Sequence, residues 1–249
     1  MPNMQYLWLY NNELTGSLPD DFGNMPNLIS LDVVGNEFEG GLPVSVASLP
    51  NLVVLHMGNN KFGGQIPAEY GNLVNIQILN LENNGLTGNI PGVLANLQSL
   101  TVLRLAGNDF NEATIPSFVY SMTGLTDLRL DNCKLTGNLD ASIANLVNLE
   151  VLSLGENDLT GQIPAEISTL RNMRVLKLQS NSFSGPIPDI SGMANLVEIN
   201  LSDNSLFGAI PDFSAFNAIE TVELRSCGLT GNLANSITQI GSLRKFFPS

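Results

Sequence analysis

Hydrophobic and polar positions alternate along this chain in short LxL segments that return about every 24 residues. Each segment leads into a polar position, a further leucine or phenylalanine and, in most copies, a proline step, as in VLHMGNNKFGGQIP and VLSLGENDLTGQIP. The pattern occurs ten times, with a spacing of 24 that becomes 25 before the sixth copy and 23 before the last two. The fixed polar position falls at Asn12, Asn36, Asn60, Asn84, Asn108, Cys133, Asn157, Asn181, Asn204 and Cys227.

Each part of this repeat predicts a local structure. The LxL alternation predicts a short strand with one buried face. The Asn and Gly that follow tolerate left-handed backbone geometry and predict a turn, and the proline predicts an extended step before it. The last third has room for about one helical turn. Because such a unit buries its leucines only against its neighbours, the sequence predicts one solenoid domain over residues 1–249, with ten repeats and a partial eleventh.

These residues resemble the plant-type leucine-rich repeat, whose consensus is LxxLxLxxNxLxGxIPxxLxxLxx. The match covers essentially the whole chain, and the stretches LTGNIP and LTGQIP distinguish this subclass. The resemblance implies an α/β solenoid, a right-handed superhelix with short parallel strands on the concave face and short 3-10 or loop segments on the convex face. It also implies the roles of receptor-like kinase and receptor-like protein ectodomains or of secreted polygalacturonase-inhibiting proteins, and with them an extracellular or cell-surface location.

The chain departs from that family at its ends. Secreted members usually carry a cysteine-bearing cap before the first repeat and another after the last, and neither is visible here. Met1 lies inside a repeat, and the C-terminal stretch stops where an eleventh strand should begin. We therefore expect a fragment that lacks both caps. The sequence itself has neither a signal peptide nor a run of membrane-spanning length.

The net charge of the chain limits the classes of partner that it is expected to bind. Ten Lys plus Arg against 23 Asp plus Glu give a net charge of −13. A nucleic-acid backbone or an anionic membrane demands a cationic surface, so the expected partner is a protein or peptide, without nucleic acid and without direct membrane insertion by this segment.

The two cysteines share nearly the same phrase, DNCKLTGNL and RSCGLTGNL, and both occupy the Asn position. In the resembled family this Asn turns inward and bonds backbone groups of neighbouring coils, and Cys is its known alternative. Four coils separate Cys133 from Cys227, or roughly 19 Å at the strand spacing of a sheet. A disulfide needs Cα atoms within about 7 Å. We expect two structural thiols, both buried and slow to react.

Catalytic signatures are missing from the sequence. It has no phosphate-binding loop, zinc spacing or nucleophile elbow, and its glycines recur with the coil period. The only histidine, His56, lies three coils from Cys133, too far for a Cys–His pair. The sequence therefore predicts a protein that is not an enzyme and needs no cofactor.

Recognition on such a scaffold is expected at the variable strand positions of the concave face. The only Trp and two of the four Tyr lie on the first strand, as interface anchors or as packing for a preceding coil. Two neighbouring arginines could grip an anion or be neutralised by nearby carboxylates. The candidate ligand-binding residues are Tyr6, Trp8, Tyr10, Asp32, His56, Asn80, Glu82, Arg104, Asp127, Arg129, Asp131, Lys177 and Gln179.

The leading hypothesis is a non-catalytic module that binds a peptide or protein on its concave face, as the ligand-recognition part of a receptor-like protein. The alternatives are a secreted inhibitor of cell-wall glycan hydrolases and a structural or adhesion protein. The Arg-x-Arg pair with which some peptide-hormone receptors of the family bind a ligand carboxylate is absent, since Arg104 and Arg129 are followed by Leu-Ala and Leu-Asp. The stretch NDFNEATIP (108–116) carries one extra residue and is expected to bulge beside the sheet.

Overall fold

A computed structural model describes residues 1–111, 113–231 and 240–248 of the chain. The described residues form a stack of coils, each built from an inner strand, an outer segment and a return segment, which confirms the predicted α/β solenoid. Coils are numbered here by their inner strands.

The inner strands form one parallel sheet in which the order along the sheet follows the order along the chain. Every pair is in register, so that equivalent residues of successive coils are neighbours. The eleven inner strands of the described residues are Tyr6–Trp8, Ser30–Asp32, Val54–His56, Ile78–Asn80, Val102–Arg104, Asp127–Arg129, Val151–Ser153, Val175–Lys177, Glu198–Asn200, Thr221–Glu223 and Lys245–Phe247.

The last of these strands corrects the expectation that the sequence stops before an eleventh strand. Lys245–Phe247 pairs with Thr221–Glu223, and Phe246 lies beside Val222 in the inward column. Phenylalanine fills the position that leucine holds in most other coils, and its side chain packs against the core. A search for LxL alone passes over it.

The segment predicted as a turn forms further strands on the outer side. Identical coils bring these segments side by side, so their backbone groups pair in parallel as well. Two sheets result, with four and five strands in the described residues. The outer strands are Thr15–Ser17, Glu37–Gly41, Lys61–Gly64 and Gly85–Leu86, then Thr136–Asn138, Asp158–Gln162, Ser182–Pro186, Ser205–Ala209 and Gly228–Thr230.

The gap between the two outer sheets falls at the fifth coil, where NDFNEATIP replaces the usual sequence. Among the described residues of this coil, an isolated bridge joins Thr114 to Thr136 of the next coil, and the N–H of Asp109 donates to the carbonyl oxygen of Leu86 in the preceding one. The extra residue shifts the backbone of this coil relative to its neighbours. Equivalent residues then no longer lie side by side, and the outer sheet is interrupted. Glu112, at the centre of the expected bulge, lies outside the described residues.

The return segments carry the short helices. Most begin directly after the proline of the repeat, which has extended backbone geometry at the N-cap. The eighth and ninth coils, each shorter by one residue, have no helix in their described return segments. The 3-10 helices are Phe22–Asn24, Val44–Ser48, Ala68–Asn72, Gly92–Asn96, Ser117–Ser121, Ala141–Asn145 and Ala165–Thr169.

A ladder of side-chain amides holds successive coils together behind the inner sheet. Asn108 is buried, and its Nδ2 donates to the carbonyl oxygen of Leu81 in the preceding coil at 3.0 Å and to that of Leu105 in its own coil at 2.8 Å. Its Oδ1 accepts from the N–H of Leu86 at 3.1 Å. The amide thus satisfies peptide groups that would otherwise be buried without partners. The other ladder asparagines with a described preceding coil repeat this arrangement at Asn36, Asn60, Asn84, Asn157, Asn181 and Asn204.

The cysteines keep half of this arrangement. Both are free thiols, and Cys133 and Cys227 donate to the carbonyls of Leu105 and Leu201, each at 3.3 Å. A thiol replaces the amide donor but leaves no Oδ1 acceptor. At Cys133 the main chain compensates, since the N–H of Phe110 donates to the carbonyl oxygen of Cys133 itself at 3.3 Å.

Burial differs between the two thiols, which corrects the expectation that both are buried. Cys133 is fully buried, but Cys227 is only partly buried because a single inner strand follows its coil in the stack. Burial raises the pKa of the Cys133 thiol to about 12 and also raises the pKa of Cys227.

A second ladder, which the sequence reasoning missed, runs along the opposite edge of the coils. Asparagines just before the inner strands donate from Nδ2 to carbonyl oxygens of the preceding coil, as Asn75 does to Pro50 at 2.8 Å. The recurring NL or NI step was its signal in the sequence. Its members are Asn27, Asn51, Asn75, Asn148, Asn172 and Asn195.

We predict that Asn157→Ala destabilises the fold by about 2–4 kcal/mol. Asn157 is buried and accepts from the N–H groups of both Cys133 and Leu135, so its removal leaves buried peptide groups unpaired. Denaturant unfolding measures the loss. The matched control is Asn12→Ala, whose exposed side chain bonds only carbonyls of its own coil and should cost below about 1 kcal/mol. Equal losses would contradict the ladder.

The thiols should react at different rates. We predict that a disulfide reagent at pH 8 modifies Cys227 at least about tenfold faster than Cys133 in the folded protein, because the reagent needs an accessible thiolate. Kinetics of the Cys133→Ser and Cys227→Ser variants assign each phase. Faster reaction at Cys133 would contradict the assignment of Cys133 as the more deeply buried thiol.

Candidate ligand-binding face

The variable positions of the inner sheet form columns that run along the concave face. Strand register places the middle column as one continuous row, starting Trp8, Asp32, His56, Asn80 and Arg104. Each residue is about 4.8 Å from the next along the stack. The side chains of this row and its two flanking columns include all the candidate residues named from the sequence.

Aromatic side chains dominate the first strand. Tyr6, Trp8 and Tyr10 are 54%, 59% and 50% exposed, which leaves them available on the surface of the described structure. Tyr6 and Trp8 pack edge to face with ring centroids 5.5 Å apart, and the indole N–H of Trp8 donates to the hydroxyl of Ser30 at 3.0 Å. The Trp8 ring is therefore held in place while much of its surface stays open.

Next to this aromatic group lies a carboxylate beside a neutral imidazole. One oxygen of Asp32 accepts from the N–H of Val34 at 3.1 Å, and the other lies 3.6 Å from Nδ1 of His56. Burial lowers the pKa of His56 by more than the charge of Asp32 raises it. The imidazole is therefore uncharged at neutral pH and gives Asp32 no cationic partner at that contact.

The two arginines at the centre of the face share one carboxylate and have two more nearby. Asp127 is only 7% exposed. It accepts from Arg104 at 2.7 Å and 3.1 Å and from Arg129 at 3.0 Å and 3.3 Å. Burial lowers the pKa of Arg129, but the hydrogen bond and charge of Asp127, helped by Glu82 and Asp131, raise it above the ordinary value. Of the two alternatives left open by the sequence, neutralisation is the one observed.

Two further candidate ligand-binding residues accept hydrogen bonds from backbone groups of the chain itself. Asn80 is buried and its Oδ1 accepts from the N–H of Glu82 at 3.0 Å. Asp131 accepts from the hydroxyl of Ser153 at 2.6 Å and from the N–H of Gly155 at 3.1 Å. Both side chains fix the bend after an inner strand, which leaves them little capacity for a ligand.

The eighth coil contributes a paired lysine and a packed amide. Lys177 lies 3.0 Å from the carboxylate of Glu198. Gln179 lies so close to Gly155 that a Cβ on that glycine would approach the Gln179 amide nitrogen, which explains why glycine is present there. The Gln179 side-chain oxygen is buried without a hydrogen-bond partner among the described residues.

The last two coils add a cluster that the sequence reasoning did not include. Arg225 lies 3.0 Å from Glu223 and 5.3 Å above the ring centre of Phe247. It was missed because Phe247 belongs to the strand that the LxL pattern does not mark. The 24-residue spacing from Glu223 predicts that Phe247 lies beside it in the middle column.

Neither a metal site nor a membrane-spanning helix is found in the part of the chain that the structure describes. Among these residues no group of three or more His, Cys, Asp or Glu side chains is arranged to hold a metal ion. No described helix has the length and apolar character needed to cross a bilayer.

Comparison with protein families matches the description Leucine-rich repeat region over residues 67–199. Single copies described as Leucine Rich Repeat match residues 3–25, 51–73 and 195–216. A comparison with curated protein sequences returns no match.

Solved structures give closer likenesses. The Arabidopsis receptor kinase HAESA, in complex with the peptide hormone IDA and the co-receptor SERK1, has 38% identity and a TM-score of 0.94 over 99% of this chain and 42% of that chain. The plant peptide hormone receptor RGFR1 in complex with RGF2 has 32% identity and a TM-score of 0.86 over 99% of this chain and 39% of that chain. A Leptospira interrogans protein, LIC12759, has 27% identity and a TM-score of 0.73 over 98% of this chain and 67% of that chain. This chain thus spans about two fifths of the length of the two plant receptors.

We predict that Asp127→Ala converts the centre of the face into an anion site. The variant should lose about 1–3 kcal/mol of stability, because two partly buried guanidinium groups lose their partner. Sulfate should then raise its Tm more than it raises that of the unaltered chain, since Arg104 and Arg129 lie side by side.

Glu198→Ala is the matched control, because it frees one lysine rather than two adjacent arginines. Thermal melts in sulfate and in chloride at equal ionic strength make the comparison. An equal sulfate effect in both variants would contradict the shared neutralisation.

Proposed function

The chain belongs to the leucine-rich repeat family, in its plant type, and on that premise we propose that it is the ligand-recognition part of a receptor-like protein that binds a peptide on its concave face. The observation that carries this proposal is the likeness to the HAESA ectodomain, which is bound to a peptide hormone and matches nearly the whole of this chain. The same likeness supports an extracellular or cell-surface location.

The shape of the inner sheet supports an extended ligand. Eleven strands spaced about 4.8 Å apart make a face roughly 48 Å long. A peptide running along the stack in extended form would need about 14 residues to cover it. The three aromatic side chains of the first strand are of the type that anchors interfaces.

Paired charges at the centre of the face give a ligand a fixed pattern to meet. Arg104 and Arg129 both contact Asp127, and Lys177 contacts Glu198.

Selection from a randomised library of 14-residue peptides displayed on phage tests the proposal. Hydrogen exchange of the purified complex should show protection in the inner strands. Trp8→Ala should weaken the selected peptides about tenfold or more, whereas Val74→Ala, at an exposed site outside the inner sheet, should leave their affinity unchanged.

Two results would count against this function. One is the failure to select any binder, or protection confined to the return segments. The other is potent inhibition of a purified polygalacturonase by the chain, which would favour the inhibitor of cell-wall glycan hydrolases instead.

A further inference from the structure

The C-terminal end of the concave face holds a guanidinium between a carboxylate and an aromatic ring. Glu223 and Phe247 are direct neighbours in the strand register. The Arg225 guanidinium lies 3.0 Å from the carboxylate oxygen and 5.3 Å above the ring. A cation over an aromatic face and beside a carboxylate gains from both contacts. We call this arrangement the filled clamp.

The N-terminal end carries a comparable aromatic–carboxylate pair in the same middle column, with the order along the stack reversed. Trp8 and Asp32 are direct neighbours in the strand register, as Glu223 and Phe247 are. The position that corresponds to Arg225, two residues after the carboxylate, is Val34. We call Trp8 and Asp32 the empty clamp, because within the described residues no lysine or arginine lies within 4.0 Å of Asp32.

The empty clamp is built to receive a cation. Tryptophan is the best of the aromatic partners for a positive charge, and the hydrogen bond to Ser30 fixes the Trp8 ring. The neighbouring His56 does not supply the charge, since its pKa is lowered by burial. Asp32 is half-buried, which strengthens its attraction for a partner relative to a fully solvated carboxylate.

The rest of the face argues for the same sign of ligand charge. Arg104 and Arg129 share Asp127, Lys177 is paired with Glu198, and Arg225 fills its own clamp. Each of these basic side chains has a carboxylate partner within the chain, although the two arginines share one and Lys245 of the last strand lies outside these pairs. Beside the empty clamp, the charges of Glu82 and Arg104 act on His56 with opposite sign, so Asp32 is the carboxylate on which the attraction for a cation depends.

We propose that Trp8 and Asp32 bind the positively charged side chain, arginine or lysine, of a peptide ligand at the first two coils. The proposal rests on the proposed function, since it names the chemistry of the peptide that the face would accept. The chain fills the equivalent site at the other end with its own arginine. At this end the cation comes from the partner.

The direct test uses N-acetyl-arginine amide as the probe and Trp8, the only tryptophan, as the reporter. The indole N–H resonance of Trp8 should shift and approach saturation as the probe is added in the millimolar range. The uncharged citrulline analogue should produce less than about one fifth of that shift, because it lacks the charge that both contacts require. Asp32→Asn should remove the difference between the two probes.

Two variants sharpen the result. Val34→Arg gives the empty clamp its own cation and should abolish the response to the probe, while Val34→Gln, of similar length but uncharged, should preserve it. Glu223→Gln alters the filled clamp at the other end of the stack and should leave the response at Trp8 unchanged. Equal responses to arginine and citrulline probes, or a full response in Val34→Arg, would overturn the proposal.

The peptide library separates this proposal from the proposed function. Selected binders should carry an arginine or lysine whose replacement by norleucine weakens binding about tenfold, and less than about twofold in Asp32→Asn. Binders on the concave face that are acidic, or that ignore the replacement, overturn the cation site and leave the binding function intact. A missing probe response together with a missing binder overturns both.

Discussion

The structure depends on how buried peptide groups are satisfied where each coil bends behind the inner sheet. A solenoid of short coils places one such bend per coil against the next, away from water. The inward asparagine bonds carbonyls of two coils and an N–H of the previous one with a single amide, as at Asn108. Unpaired groups there would each cost on the order of 1–3 kcal/mol, so the ladder is what allows the coils to stack closely.

The two cysteines show how much of this arrangement can be exchanged. A thiol still donates to the carbonyl of the preceding coil, as at Cys133, but it has no amide oxygen with which to accept. The acceptor is then supplied by the main chain through Phe110. Both cysteines are therefore structural substitutions at the asparagine position of the ladder.

Strict strand register arranges the variable strand positions into ordered columns on one face. Because every inner strand pairs without a shift, one variable residue per coil falls into each column, and the columns stay continuous from Trp8 to Phe247. The face can then be divided by charge. At its centre and far end Arg104, Arg129 and Arg225 contact carboxylates of the chain, whereas its near end presents open aromatic rings beside Asp32. The inward leucines lie apart from the variable columns, but column residues such as Asn80, Asp127 and Asp131 also hold the structure together.

The resemblance to a known repeat family implied the inward ladder, and the sequence by itself determined the solenoid, the coil period and the membership of the concave columns. These follow from local periodicity, since leucines at fixed spacing can be buried only if the coils stack in register. The same periodicity could have located the eleventh strand, had Phe246 been accepted in place of leucine.

Only the tertiary structure decided which of the column residues are bonded to other groups of the chain and which remain available to a ligand. Asp127 lies between two arginines, Asn80 and Asp131 hold backbone, and Cys227 is less buried than its twin. The outer sheets and the second asparagine ladder likewise arise from contacts between coils rather than within them. A side chain's partners lie about 24 residues away along the chain and one strand spacing away in space. Spacing fixes which residues are neighbours, but rotamers and packing determine which of them bond.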